Sequence, residues 1–161
     1  MPHNWESDLA AMLGDLLGVQ DSFLKLLAKK REYLIASDTA GLDALAAEEQ
    51  QLVQSLQGCV DRRETLLEEA RREGLPSENI QALSTALPVE QQHRLHPKVA
   101  LAKSNSRLLQ QHSLAHWAAV QRTLLYLSHM LEILATGGQM KPTYSEEDKS
   151  RASGSLIDRA A

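Results

Sequence analysis

Two histidines one helical turn apart, His112 and His116, come nearest to chemistry in this chain, because imidazoles four positions apart on a helix can share a metal ion. A metal centre needs further ligands, and no carboxylate or cysteine stands beside them. His93 and His96 lie beyond a His96-Pro97 step, and His129 is more than three turns further along. The spacing therefore reads as ordinary boundary histidines, and no metal is expected. The paired acids Glu48-Glu49, Glu68-Glu69 and Glu146-Glu147 are neighbours in sequence, so their carboxylates do not face each other across a cleft, and no acid/base pair follows. The single cysteine, Cys59, excludes an intramolecular disulfide, and its place on an apolar repeat suits a small buried hydrophobe. There is no Gly-x-Ser-x-Gly, no glycine-rich turn between strand and helix, and no cysteine–histidine pair for nucleophilic attack. Neither catalysis nor a cofactor is expected.

The bulk composition narrows the partners. With a net charge of −4, the chain lacks the cationic excess that phosphate neutralisation requires, so nucleic acid is a poor partner. Its basic clusters, Lys29-Lys30-Arg31, Arg62-Arg63 and Arg71-Arg72, are interleaved with Glu32, Asp61, Glu64, Glu68, Glu69 and Glu73, which is the pattern of solvated helix faces. A hydrophobic fraction of 43% over 161 residues is enough for one domain with a core. The N-terminus lacks the cationic start and apolar run of a secretory signal, and charges interrupt every long apolar segment. A cytoplasmic protein with no direct membrane insertion is expected.

The elements that would position any partner are helices. Leu9, Leu13, Leu16, Gln20, Phe23, Leu27, Lys30 and Leu34 recur at alternating steps of three and four, the seam of a helix packed lengthwise on another. This predicts a first helix from about Trp5 to Ile35, about 45 Å long. Ser37 or Asp38 would cap the next, and so short a joint forces an antiparallel hairpin. Leu42, Leu45, Glu49, Leu52, Leu56, Cys59, Arg63, Leu66 and Ala70 repeat the seam, and Gly74-Leu75-Pro76 stops it. Ser77 could cap a short helix that carries Ile80, Leu83 and Leu87 and closes at Pro88. His96-Pro97 disfavours helical geometry, so the last helix is placed from Pro97 to Ala135.

Within that last helix the seam drifts. Leu101, Asn105, Leu108, His112 and Ala115 mark its front, and Val120, Leu124, Leu127, Leu131 and Leu134 its rear on a displaced register. Asn105 would either fix helix register through a buried hydrogen bond or lie at the edge and face water. Leu125 and Met130 widen the rear stripe beyond what one packing partner needs. The expected fold is all-α, an elongated antiparallel bundle of three long helices plus a short connecting helix over residues 1–136. Residues 137–161 are expected to form a flexible C-terminal tail in which Met140, Tyr144, Leu156 and Ile157 are apolar anchors without a folding role.

These pieces, in this order, resemble the FlgN family of flagellar export chaperones. The likeness rests on Leu24-x-x-Leu27-x-x-Lys30-Arg31-x-x-Leu34, leading into Ser37-Asp38-x-x-x-Leu42-x-x-Leu45-x-x-Glu48-Glu49-x-x-Leu52. It continues through Leu66, Gly74-Leu75-Pro76, Leu87-Pro88 and Asn105-x-x-Leu108-Leu109. Pro142-Thr143-Tyr144 and Gly154 resemble the family's tail, with Ser145 standing where glycine usually follows the tyrosine. The resemblance implies a bacterial protein that binds the helical C-terminal ends of hook-associated, or hook–filament junction, proteins before secretion. It further implies delivery to the flagellar type III export machinery without use of ATP, with Tyr144 at the position that meets the cytoplasmic domain of the export gate protein FlhA.

Spacing alone supports a compatible mode. An amphipathic cargo helix could lay its apolar stripe beside Leu124, Leu127, Met130, Leu131 and Leu134, as in helix-in-groove recognition. The same leucine seams would also serve a structural coiled-coil scaffold that pairs as a homodimer and carries no cargo.

Overall fold

The computed structural model describes residues 3–136. All of its regular structure is helical: α1 spans Trp5–Ile35, α2 Thr39–Arg72, α3 Ile80–Thr85 and α4 Val89–Thr136. The chain divides into two compact units, one ending at Ala119 and the other starting at Val120.

The joint between α1 and α2 follows from three residues. Ser37 takes a left-handed backbone with φ 54°. Its N–H donates to the Leu34 carbonyl at 3.1 Å while the Asp38 N–H donates to the Tyr33 carbonyl at 2.9 Å, a Schellman closure that satisfies two terminal acceptors. Asp38 then caps α2, its carboxylate accepting from the Gly41 N–H at 2.9 Å. The turn is tight enough that a Cβ on Gly41 would lie 2.7 Å from Asp38 Oδ2 and 2.8 Å from the Tyr33 ring. Because Ser37 holds a conformation that disfavours any residue with a Cβ, Ser37→Gly should stabilise the hairpin by about 0.5–1 kcal/mol, read as a higher urea midpoint at unchanged m-value. The end of α2 uses the same closure with the favoured residue. Gly74 sits at φ +73°, its N–H donates to Arg71, and the Leu75 N–H donates to Ala70 at 2.9 Å.

Cross-helix polar pairs give the directions. Trp5 Nε1 donates to Glu73 at 2.9 Å, Arg62 pairs with Asp15 at 3.0 Å and Lys30 with Glu49 at 2.6 Å. As α1 advances α2 recedes, so the two are antiparallel. On the other side Arg94 pairs with Glu6 at 3.0 Å and Gln20 reaches Ala102 and Ser106. Here both numbers rise together, so within the first unit α4 runs parallel to α1. Apolar burial concentrates at the end where Trp5, Leu9, Met12 and Leu13 meet Leu66, Ala70, Leu83, Leu87, Leu95 and Ala102. The short α3 plugs that end through Leu83.

The structure corrects three local expectations. The short helix is capped by Asn79, whose side chain accepts from the Ala82 N–H at 2.8 Å, and not by Ser77. The last helix starts at Val89 and carries Pro97 inside it. A proline there forfeits one backbone hydrogen bond at a cost of about 3 kcal/mol. Burial of Leu95 beside it offsets that cost, as does the closed turn before it, where Gln92 Nε2 donates to the Thr85 and Leu87 carbonyls at 2.7 Å each. Finally, the front of α4 is rotated by one position: Leu101 is 52% exposed and Leu108 also faces out, while Ala102 is buried and Val99 packs against the core.

Gln20 explains that rotation. It is buried, and its Nε2 donates to the Ala102 carbonyl at 3.1 Å and to Ser106 Oγ at 2.9 Å. A main-chain carbonyl of α4 comes within reach of an α1 side chain only where the intervening α4 residue is small, and Ala102 meets that condition where Leu101 does not. On α1, Met12 and Leu26 are buried beside the expected seam. A helix packed between two others needs a wider apolar stripe than one packed on a single partner.

Candidate functional site

The rear of α4 carries the candidate surface. Leu124, Leu127, Met130, Leu131 and Leu134 are all exposed, from 41% for Met130 to 75% for Leu134. A cluster of leucines left in water is costly by roughly 1.5–3 kcal/mol per side chain relative to full burial, so such a surface marks an interaction site more often than a packing accident. Leu125, Tyr126 and Ile133 are exposed in the same stretch. Tyr126 and Ile133 escape a search for leucine repeats because they stand off the leucine register. Trp117, also exposed, precedes Val120 by three and extends the repeat Val120, Leu124, Leu127, Leu131, Leu134 one step towards the N-terminus. That step of three was the available signal for it.

The stripe is nearly uncharged. Spacing places Leu124, Leu127, Leu131 and Leu134 along one line, with Leu125 on the far side of the helix and Tyr126, Met130 and Ile133 on a second line about a third of a turn round. Such a helix offers apolar contact over more of its circumference than the third that a simple amphipathic helix shows. Tyr144, Leu156 and Ile157, expected as gate contact and tail anchors, lie outside the described residues, as does Met140.

The chemically suggestive residues fall elsewhere. His112 and His116 line a cleft in the first unit with Leu27, Arg31 and Leu34. Among the described residues no three His, Cys, Asp or Glu side chains are grouped to hold a metal ion. Burial pushes the His116 imidazole below its usual pKa, and the Lys30 ammonium reinforces this against a smaller opposing effect of Glu49. His116 is therefore neutral at neutral pH. Burial and the Asp15 carboxylate push the Cys59 thiol up, against a smaller pull from Arg62, which suppresses the thiolate and makes Cys59 a poor nucleophile. Asn105 is half-buried, and the polar link between α1 and α4 belongs to Gln20 instead. The interleaved basic residues pair as solvated faces do, Arg71 and Arg72 with Glu68 and Arg62 with Asp15. None of the described helices is long and apolar enough to cross a membrane.

Comparison with known proteins returns a family match. The family model described as FlgN protein matches residues 1–152. No curated protein and no solved structure matches the chain. A match over residues 1–152, nearly the whole sequence, places this chain in the FlgN family of flagellar export chaperones.

Proposed function

We propose that this chaperone binds the C-terminal helical segments of flagellar hook-associated proteins on the rear of α4, keeps them from assembling early and hands them to the export gate. The observation that carries this reading is the exposure of Leu124, Leu127, Met130, Leu131 and Leu134. A cargo helix laid along them removes four or five apolar side chains from water on each partner. Ordering the cargo and losing its translational freedom offset most of that gain, which brings the expected affinity to about micromolar. A chaperone that must release its cargo works best in that range.

In this reading residues 1–136 form the helical bundle and residues 137–161 the tail. Tyr144 docks the loaded complex on the cytoplasmic domain of FlhA, and Leu156 and Ile157 are further tail anchors. The protein works in the cytoplasm, transiently at the export apparatus, and needs neither nucleic acid nor membrane insertion. Division of labour between helix and tail has a direct test. Tyr144→Ala should lower binding to the purified FlhA cytoplasmic domain by tenfold or more and leave pull-down of a hook-associated protein within twofold of wild type. Equal loss of both would end the two-part scheme.

One observation favours a second reading. Trp117, Val120, Leu124, Leu127, Leu131 and Leu134 keep strict three–four spacing, which is what a self-pairing coiled coil requires. A scaffold dimer would persist on dilution to nanomolar concentration with this seam already protected from hydrogen exchange. The cargo reading requires protection that appears only when a hook-associated protein is added.

A further inference from the structure

A cleft of about 390 Å³ lies in the first unit between the C-terminal third of α1 and the α4 stretch 112–119. Its floor is Leu27, Leu34 and Ile35 from one helix and Ala115 and Ala119 from the other. Ile35 is 76% exposed, so the floor is not sealed by the protein's own side chains. Arg31, His112 and His116 supply the polar part of the lining, and no acidic side chain contributes to it. Among the described residues Arg31 has no ion-pair partner, while its neighbour Lys30 is held by Glu49 at 2.6 Å. Arg31 carries the one permanent charge on the lining. The volume falls in the usual range for pockets that take drug-sized groups, about 300–1,000 Å³, and suits two or three aliphatic side chains.

We propose that this cleft is a second seat for exported cargo, taking one helical turn that presents aliphatic side chains to the Leu27–Leu34 floor and a carboxylate to Arg31. The inference rests on the cargo-binding reading above and adds a charge requirement that the line of leucines Leu124, Leu127, Leu131 and Leu134 cannot itself impose. Charge complementarity selects the occupant. An anionic group beside Arg31 gains a charge-assisted contact, bidentate where the geometry allows, while a cationic one meets a like charge at the mouth of an apolar floor. A segment without aliphatic side chains would leave the floor wet. An acidic–apolar helix satisfies both halves of the lining.

The test uses the full chain and the purified C-terminal segment of a hook-associated protein, measured by titration calorimetry against Arg31→Glu, Arg31→Lys and Ala115→Phe. Arg31 and Ala115 are both exposed, so none of these changes touches the core. Arg31→Glu is expected to weaken binding about tenfold, Ala115→Phe comparably by filling the floor, and Arg31→Lys by threefold or less. A synthetic Leu/Glu amphipathic 18-mer should bind the wild type more tightly than its Leu/Lys counterpart, with the order reversed on Arg31→Glu. If Arg31→Glu and Ala115→Phe bind the cargo segment within twofold of wild type while substitutions at Leu127 and Leu131 abolish binding, the second seat is wrong and the chaperone reading stands. If wild type binds no hook-associated segment at all, both fall together.

Discussion

Leu127→Glu combined with Leu131→Glu is expected to weaken binding of a hook-associated C-terminal segment by at least about a hundredfold, with no loss of helicity. The two positions sit one turn apart on the same line of α4, and both side chains are exposed in the free protein. In a complex each leucine would lose its water and gain roughly 1.5–3 kcal/mol, so removing both forfeits about 3–6 kcal/mol before anything else changes. Two carboxylates pressed against an apolar cargo stripe add a desolvation penalty, or bind only after protonation. The free protein loses almost nothing. Glutamate is about as good a helix former as leucine, and a substitution at an exposed site away from caps and core changes stability by about 0.5 kcal/mol or less. Circular dichroism and thermal melting of the double variant should therefore overlay the wild type while calorimetry shows the affinity collapse. Leu125→Glu is the internal control, because Leu125 is equally exposed but lies on the far side of the helix from Leu127 and Leu131. Its affinity should stay within about threefold. Wild-type affinity in the folded double variant would place cargo somewhere other than this line.

The hairpin was legible because its signals are local. Ser37-Asp38 and Gly74-Leu75-Pro76 act through backbone geometry within a few residues, and α1, α2 and both stops stand where those residues require. The start of α4 was not legible for the opposite reason. Local chemistry at His96-Pro97 disfavours a helix, and the bond lost there is repaid by contacts from distant parts of the chain, with Leu95 buried against the end of the bundle. The one-position rotation of α4 has the same origin. Leu101 and Leu108 look like core by spacing, but the hydrogen bond from Gln20 to the Ala102 carbonyl needs a small residue at the crossing, and that preference cannot be read from α4 alone. The rear surface was legible because it needs no tertiary information: an apolar stripe too wide for one neighbour remains too wide whatever the neighbour is. The Arg31 cleft is of the other kind. It exists only once Leu27 and Leu34 on α1 are set beside Ala115 and Ala119 on α4, more than eighty residues later.

Leu9→Ala should have the reverse effect on the molecule, lowering stability by about 3 kcal/mol while leaving cargo affinity unchanged wherever the variant remains folded. Leu9 has 0% of its surface exposed and lies in the core cluster with Trp5, Met12, Leu13, Leu66 and Leu83. Truncation to alanine loses the transfer free energy of the removed carbons and leaves a cavity that the neighbours fill only in part, which together cost about 2–5 kcal/mol. The middle of that range is the expected value, because flexible Met12 beside the gap can move into some of it, whereas Trp5 is pinned by its hydrogen bond to Glu73 and cannot. For a unit of this size the loss corresponds to a fall in melting temperature of about 10 °C, a large share of the margin of a domain stable by about 5–15 kcal/mol. Leu134→Ala makes the comparison decisive. It deletes the same carbons from a side chain that is 75% exposed, so it should leave the melting temperature almost unmoved and weaken cargo binding about tenfold. If Leu134→Ala instead destabilised the protein as Leu9→Ala does, the rear of α4 would already be covered in solution, by a second copy of the chain, and its leucines would be part of a dimer core that no cargo could enter without dissociating it.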